Sequence, residues 1–354
     1  MVYDYLIIGQ GVSGTFLSYF LQQQEKTVLV IDLPTKQSPS HIAAGIINPV
    51  TGRRMTTAWM AEQVMPFAWE AYTEIGNDLG ITAISHRNVI DFFPNPFMRE
   101  GFLEKIKAAD EYVFAYPEQN HFNPYFNYEF GCGEIRPAYS AHMEVLLPAW
   151  RNRLISNGAL LEEWFDRSAL SFHADGVRYR DIMASKIIYC DGPGGFENPQ
   201  FSLLPYSPNK GEALVLEIPG LPAFNIYKKS MLLVPMTDEN KFWIGSSYAW
   251  KFDNPDPTQE FLDKTKAVLD EWLKLPYKIL EHRSGLRPAT MERRPFCGIH
   301  PHHPQVAILN GMGTKGCSLA PFFAKQLADH LVNGTEITPD ADVKRFTKIL
   351  SRSN

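Results

Sequence analysis

The stretch Tyr5–Gly14, "YLIIGQGVSG", joins an unbroken apolar run to three glycines in the order G-x-G-x-x-G. A run without polar alternation predicts a strand buried on both faces, as in a parallel sheet. Phe16, Leu17, Phe20 and Leu21 then recur at helical spacing. A second apolar run, "TVLVID", ends at Asp32 and completes a βαβ unit. In such a unit Gly9 permits the tight turn and Gly11 lets the backbone approach a pyrophosphate. Gly14 allows close packing of helix on strand. Val12 and Ser13 open the helix, where free N–H groups and the helix dipole favour an anion. Asp32 lies eighteen residues after Gly14, where a carboxylate binds a ribose hydroxyl. Glycines alone are a weak signal; with strand, helix and terminal acid in register they point to a dinucleotide. The bland alternatives are a tight turn without ligand and, for Asp32, a solvated strand end. The motif does not separate a nicotinamide from a flavin dinucleotide.

The 354 residues exceed one simple core and suit two domains. A formal net charge of −5 supplies no field for a nucleic acid. No run is long and apolar enough for an integral membrane segment, and the chain enters its first strand without a basic leader. Cys132, Cys190, Cys297 and Cys317 form no CxxC pair, which predicts free thiols and a cytoplasmic setting. His300, His302 and His303 lie between prolines without nearby carboxylates, so a surface loop is expected there and no metal site.

Outward from the first unit, helical patterning returns near 58–80, and "AHMEVLLPAWRNRLI" (141–155) predicts another helix ending at Asn157-Gly158. "SKIIYCDGPGG" (185–195) and "VAILNGMG" (306–313) read as further buried strands running into glycine turns. A helix is expected over 318–333, with Pro321 in its first turn and Gly334 past its end. The intervening segments differ. Residues 85–135 are rich in aromatics, Asn and Pro, and 205–250 is β-like, followed by an amphipathic helix over about 258–273. The expected architecture is α/β: a Rossmann-like nucleotide-binding domain with an inserted substrate domain of antiparallel β-sheet plus helices. The discontinuous first domain takes 1–84, 136–204 and 283–354, and the inserted one 85–135 and 205–282.

Several segments resemble, in order, the D-amino-acid oxidase family of FAD-dependent flavoproteins, which includes glycine and sarcosine oxidases and D-amino-acid dehydrogenases. They are "SHIAAGIINP" (40–49), "KGEALVLEIP" (210–219), the hairpin "LLVPMTDENKFWIGSSYAWKFDNPDPT" (232–258), "RSGLRPATMERRPFCGIHP" (283–301) and "LNGMGTKGCSLAP" (309–321). The resemblance implies an FAD cofactor. Beside Gly9, Gly11, Val12, Ser13, Gly14 and Asp32, it places Ala43, Ala44, Gly45, Ile46 and Gly192 along FAD, and Met312, Gly313, Thr314, Lys315, Gly316, Cys317 and Ser318 against the flavin ring. It also implies oxidation of an amine or amino acid by hydride transfer to the flavin, giving an imine that hydrolyses, with oxygen or another acceptor taking the electrons. A side-chain base is not obligatory, because the cofactor carries the hard step.

Arg287, in Gly-Leu-Arg-Pro, is by this resemblance the substrate-carboxylate ligand; a planar, always-charged fork suits that role. It falls near the position where covalent sarcosine oxidases carry a flavin-bonded cysteine, so FAD is expected to be noncovalent. Lys315 and Arg54 are the other candidates for anionic substrate groups, with Arg53 beside Arg54. The pattern departs from the family at Cys190-Asp191-Gly192, where Ala-Thr-Gly is usual. Leu232 stands where glycine oxidase has a tyrosine, and Thr314 where it has an arginine. These departures bear on the substrate and leave two competing functions open, a flavin hydroxy-acid dehydrogenase and a non-catalytic FAD-binding protein.

Overall fold

The computed structural model describes residues 2–35, 37–52 and 55–352. The opening strand, Val2–Ile8, lies inside a sheet with Val28–Ile31 on one side and Ile182–Tyr189 on the other, both parallel to it. Leu160–Leu161 extends the parallel set beyond Val28–Ile31, and Val306–Asn310 extends it beyond Ile182–Tyr189. Antiparallel strands Leu170–His173, Gly176–Tyr179 and Phe296–Ile299 complete this sheet. Strands three hundred positions apart thus bring both glycine turns to one sheet edge. The helix Val12–Gln23 buries Phe16, Leu17, Phe20 and Leu21 in one core with Ala320, Phe323, Ala324 and Leu327 of the last long helix, Gly316–Asn333.

A second eight-stranded sheet is assembled from both inserted segments. Its order is Lys278–Arg287, Asn209–Glu217, Lys241–Gly245, Leu232–Pro235, Ile226–Lys228, Val89–Phe92, Cys132–Ile135 and Val113–Ala115. Its pairings are antiparallel except one: Ile226–Lys228 runs parallel to Val89–Phe92. That is the joint between the two inserted segments, where no hairpin dictates direction. The sheet has two apolar faces. On one, Phe92, Phe122, Phe126 and Leu214 pack with Phe261, Leu269 and Trp272 of the helix Gln259–Trp272. On the other, Trp243 and Val234 meet Val50 and Met55 from the chain that follows the first βαβ unit. Alternation along Lys241–Gly245 therefore sends Phe242 outward to the helix and Trp243 inward toward the first domain's loops.

Two expectations are corrected. The last long helix begins at Gly316, with Lys315 as its N-cap, so Pro321 lies beyond the first turn. Lacking an N–H, Pro321 leaves the Cys317 carbonyl without its helical partner. The histidine loop is not wholly a surface feature: His300 is buried, its Nδ1 accepting the backbone N–H groups of His302 and His303. Burial pushes the His300 imidazole down to about 4, which keeps the ring neutral at neutral pH. Among the described residues no helix is long and apolar enough to cross a membrane. All four cysteines are free and buried.

Candidate active site

The first glycine loop is held by backbone contact that admits no side chain at Gly9 or Gly14. Gly9 has φ +98°, and a Cβ on Gly14 would lie 1.9 Å from the Gly9 carbonyl oxygen. The helix therefore starts hard against the strand end. Its N-cap, Gly11, offers no side-chain cap, and the Val12 N–H donates to Ser40 Oγ at 3.0 Å. Ser40 still has its own O–H to donate to an anion. Asp32 is not a solvated strand end. It accepts the Gln10 N–H at 2.9 Å on one oxygen and pairs with Arg151 at 2.8 Å on the other. Arg151 also donates to the Asp32 carbonyl and to Gln10 Oε1, so Asp32, Gln10 and Arg151 brace the loop together.

The second glycine loop is tied to the same strand ends. Asn310 Nδ2 donates to Asp191 Oδ1 at 3.0 Å and to the Gly192 carbonyl at 2.9 Å. Burial pushes the Asp191 carboxyl up to about 7, against the pull of Arg167 at 3.7 Å. Beyond Gly311, the Gly313 N–H donates to the Pro288 carbonyl at 3.1 Å. Met312, Cys317 and Ser318 are buried while Thr314 is exposed. Lys315 crosses to the other wall, where its Nζ donates to the Asn48 carbonyl at 3.1 Å. That wall is the segment of Ala43, Ala44, Gly45 and Ile46, fixed by Ala141 N–H on the Gly45 carbonyl and by Trp243 Nε1 on the Ile42 carbonyl.

Burial, with no acidic neighbour to oppose it, pushes the Lys315 amine down to about 8. Between that value and the ordinary lysine range the unfolded chain binds more protons than the folded one, so stability rises with pH there. The ligand-free protein is therefore expected to gain stability from about pH 8 to about pH 10 through this group. Denaturant titrations compared with Lys315→Met should show that the gain disappears in the variant. Equal slopes in both proteins would refute it.

Arg287 ends the strand Lys278–Arg287 opposite Asn209 on the neighbouring strand. Its Nη1 donates to Asn209 Oδ1 at 2.6 Å and to the Ser247 carbonyl at 3.1 Å. The Tyr248 ring lies 4.7 Å from the guanidinium carbon. Gly211 makes the room: a Cβ there would sit 2.0 Å from Arg287 Nη2. Burial lowers the Arg287 pKa, the phenol of Tyr248 acting weakly against it, and no carboxylate pairs with Arg287 among the described residues. Beside it, the buried Asn209 Nδ2 has no hydrogen-bond partner among the described residues. Buried donors without acceptors are costly unless a ligand satisfies them.

Most of the residues singled out in the sequence thus fall along one path, from Gly9–Gly14 past Ala43–Ile46 to Met312–Ser318, with Arg287 one residue from the Pro288 contact. Arg53 and Arg54 lie outside the described residues. Ser40, Asn48, Arg151, Asn209, Ser247 and Tyr248 were not anticipated. Their partners are distant in sequence, as in the Arg287–Asn209 pair, 78 positions apart, so no local motif marks them.

A family model described as "FAD dependent oxidoreductase" matches residues 4–330. The chain belongs to this family. FAD is its cofactor, and the two glycine loops fit so long a molecule: each precedes a helix whose N-cap residue supplies no side-chain cap, and the first excludes even a methyl group at Gly9 and Gly14. The fold is shared with iminodiacetate oxidase from Chelativorans sp. BNC1, at TM-score 0.76 and 21% identity over 94% of this chain and 96% of that one. Glycine oxidase from Geobacillus kaustophilus superposes with TM-score 0.77 at 18% identity, covering 95% and 96% of the two chains. In sequence, the chain is 23% identical to the tRNA 5-methylaminomethyl-2-thiouridine biosynthesis bifunctional protein of Hahella chejuensis, over 96% of its own length. It spans only 58% of that relative's length.

Proposed function

We propose that this oxidoreductase oxidises a small amine or amino acid whose carboxylate is held by Arg287. The observation that carries the reading is a guanidinium with no carboxylate partner among the described residues and, beside it, the Asn209 amide nitrogen with no acceptor. An incoming carboxylate satisfies both and lies against the Tyr248 ring. Gly9, Gly11, Val12, Ser13, Gly14 and Asp32 would hold the pyrophosphate and ribose of FAD noncovalently. Ala43 to Ile46, Gly192 and Met312 to Ser318 would line the rest, with Lys315 toward anionic groups; Arg54, outside the described residues, is a candidate for such groups from the sequence alone. FAD, when bound, supplies the two-electron acceptor for C–N oxidation. The chain's part is to orient the substrate and to keep Arg287 rigid through Asn209 and Ser247, so that little freedom is lost on binding.

The same reading assigns residues 85–135 and 205–282 to substrate and the remainder to FAD; two strands cross these boundaries, Lys278–Arg287 in the second sheet and Ile84–His86 in a three-stranded sheet with Ile46–Ile47 and Tyr139–Ala141. A net charge of −5 favours a small molecule over a polyanion, and free cysteines agree with a cytoplasmic setting. The purified protein should be yellow and release FAD in acid. Anaerobic mixing with glycine, D-amino acids and N-methyl amino acids should bleach it. Bleaching by hydroxy acids alone would shift the reading to a hydroxy-acid dehydrogenase, and no bleaching by any of these would sink catalysis on carboxylate substrates.

A further inference from the structure

Among the described residues, Arg287 is not the only enclosed cation without a counter-charge. Three other cations are answered by acids: Lys210 by Glu212 at 3.6 Å, Arg283 by Glu281 at 2.7 Å and Arg151 by Asp32 at 2.8 Å. Lys315, by contrast, donates to a neutral carbonyl, that of Asn48, and burial alone accounts for its lowered pKa. The two unanswered cations sit on segments that touch. The Gly313 N–H bonds the Pro288 carbonyl, with Arg287 one residue before that contact and Lys315 two residues after it. Chain geometry then limits their α-carbons to roughly 17 Å apart, a gap that two long side chains and a small ligand between them span. Their fixed partners differ, Asn209 and Ser247 for one and Asn48 for the other, so they are separate anchors and not one clamp.

We infer that the substrate carries two carboxylates, one taken by Arg287 and the second by Lys315. This rests on the reading of Arg287 as a carboxylate ligand. A substrate with one carboxylate leaves an enclosed ammonium unbalanced, at the cost of desolvating a lone charge. An amine flanked by two carboxymethyl-type groups neutralises both cations and places its nitrogen and adjacent carbon between them. Charge-assisted bonds to a partly buried ammonium are among the stronger polar contacts, enough for about tenfold discrimination.

The test uses the flavin-loaded full chain and two unreactive ethers of matched shape, oxydiacetate with two carboxylates and methoxyacetate with one. Binding is read from the perturbed flavin absorbance. Oxydiacetate should bind at least about tenfold tighter. That ratio should collapse toward one in Lys315→Met and persist in Lys315→Arg, which keeps the charge and checks that the loop still folds. Equal affinities in the unaltered protein would overturn the inference. So would a Lys315→Met variant that weakens both ethers alike while lowering the flavin potential, because the ammonium would then serve the cofactor. Parallel anaerobic reductions with iminodiacetate and N-methylglycine separate this from the broader proposal. Reduction by N-methylglycine with no advantage for iminodiacetate sinks only the second carboxylate. A preference for oxydiacetate with neither amine reducing the flavin sinks amine oxidation and leaves the two-anion site standing.

Discussion

Arg287→Ala is expected to keep its flavin and to lose roughly 100- to 1,000-fold in kcat/KM for a carboxylate substrate. Truncating one partner of an enclosed, hydrogen-bonded charge pair costs about 2–5 kcal/mol, at about 1.4 kcal/mol per tenfold. The loss should appear mainly in KM, since the carboxylate is held alike before and during the chemical step. Arg287→Lys should recover only part of it. An ammonium restores the charge but not the planar fork, and it cannot reach Asn209 Oδ1 and the Ser247 carbonyl with one nitrogen while facing a ligand with another. Flavin content should match the unaltered protein in both variants, because the guanidinium's recorded partners, Asn209, Ser247 and Tyr248, all belong to the inserted segments. Steady-state kinetics with the best substrate of the anaerobic panel decide it. Turnover within threefold of the unaltered enzyme would remove Arg287 from the site.

What makes Arg287 a candidate ligand was only half legible in the sequence. Its residue type and its Gly-Leu-Arg-Pro setting stand out by eye. Its isolation from carboxylates does not, because Asn209, Ser247 and Tyr248 reach it across strand pairings that no local pattern encodes. The first βαβ unit was readable because every determinant lies within thirty-odd consecutive residues, each tied to backbone geometry. The second glycine loop was readable as a strand–turn–helix, but not the helix start, since Gly316 and Pro321 are both weak helix formers and tertiary packing overrides them. Lys315 shows the same limit. Its hydrogen bond to Asn48 spans 267 positions, so its enclosure is a property of the assembled fold and not of the segment that carries it. The parallel joint in the second sheet is another such case, as direction there follows from how two separated insertions meet.

Gly14→Ala should cost the protein its cofactor outright, whereas Gly11→Ala should only weaken binding. The two glycines share a motif but meet different surroundings. At Gly14 the added carbon lies 1.9 Å from the Gly9 carbonyl oxygen and 3.0 Å from its carbon, both backbone atoms of the turn itself. Backbone cannot rotate aside, so the helix must retreat from the strand. The same helix carries Phe16, Leu17 and Leu21 at 0% exposure, packed with the closing helix, so that retreat also disturbs the opposite end of the site. Overpacking of this kind costs about 1–3 kcal/mol and sometimes more, and here it displaces the N–H groups that would receive the pyrophosphate. At Gly11 the added carbon meets Ser40 Oγ at 2.9 Å, the end of a side chain that can turn away. Gly11→Ala should therefore fold normally and bind FAD about 10- to 100-fold more weakly, by obstructing close approach of a phosphate. The ratio of flavin to protein absorbance after purification, with thermal melts taken with and without added FAD, distinguishes the two. Added FAD should raise the Tm of Gly11→Ala and leave that of Gly14→Ala unmoved, and a Gly14→Ala protein carrying one flavin per chain would show that the close approach is not needed for binding.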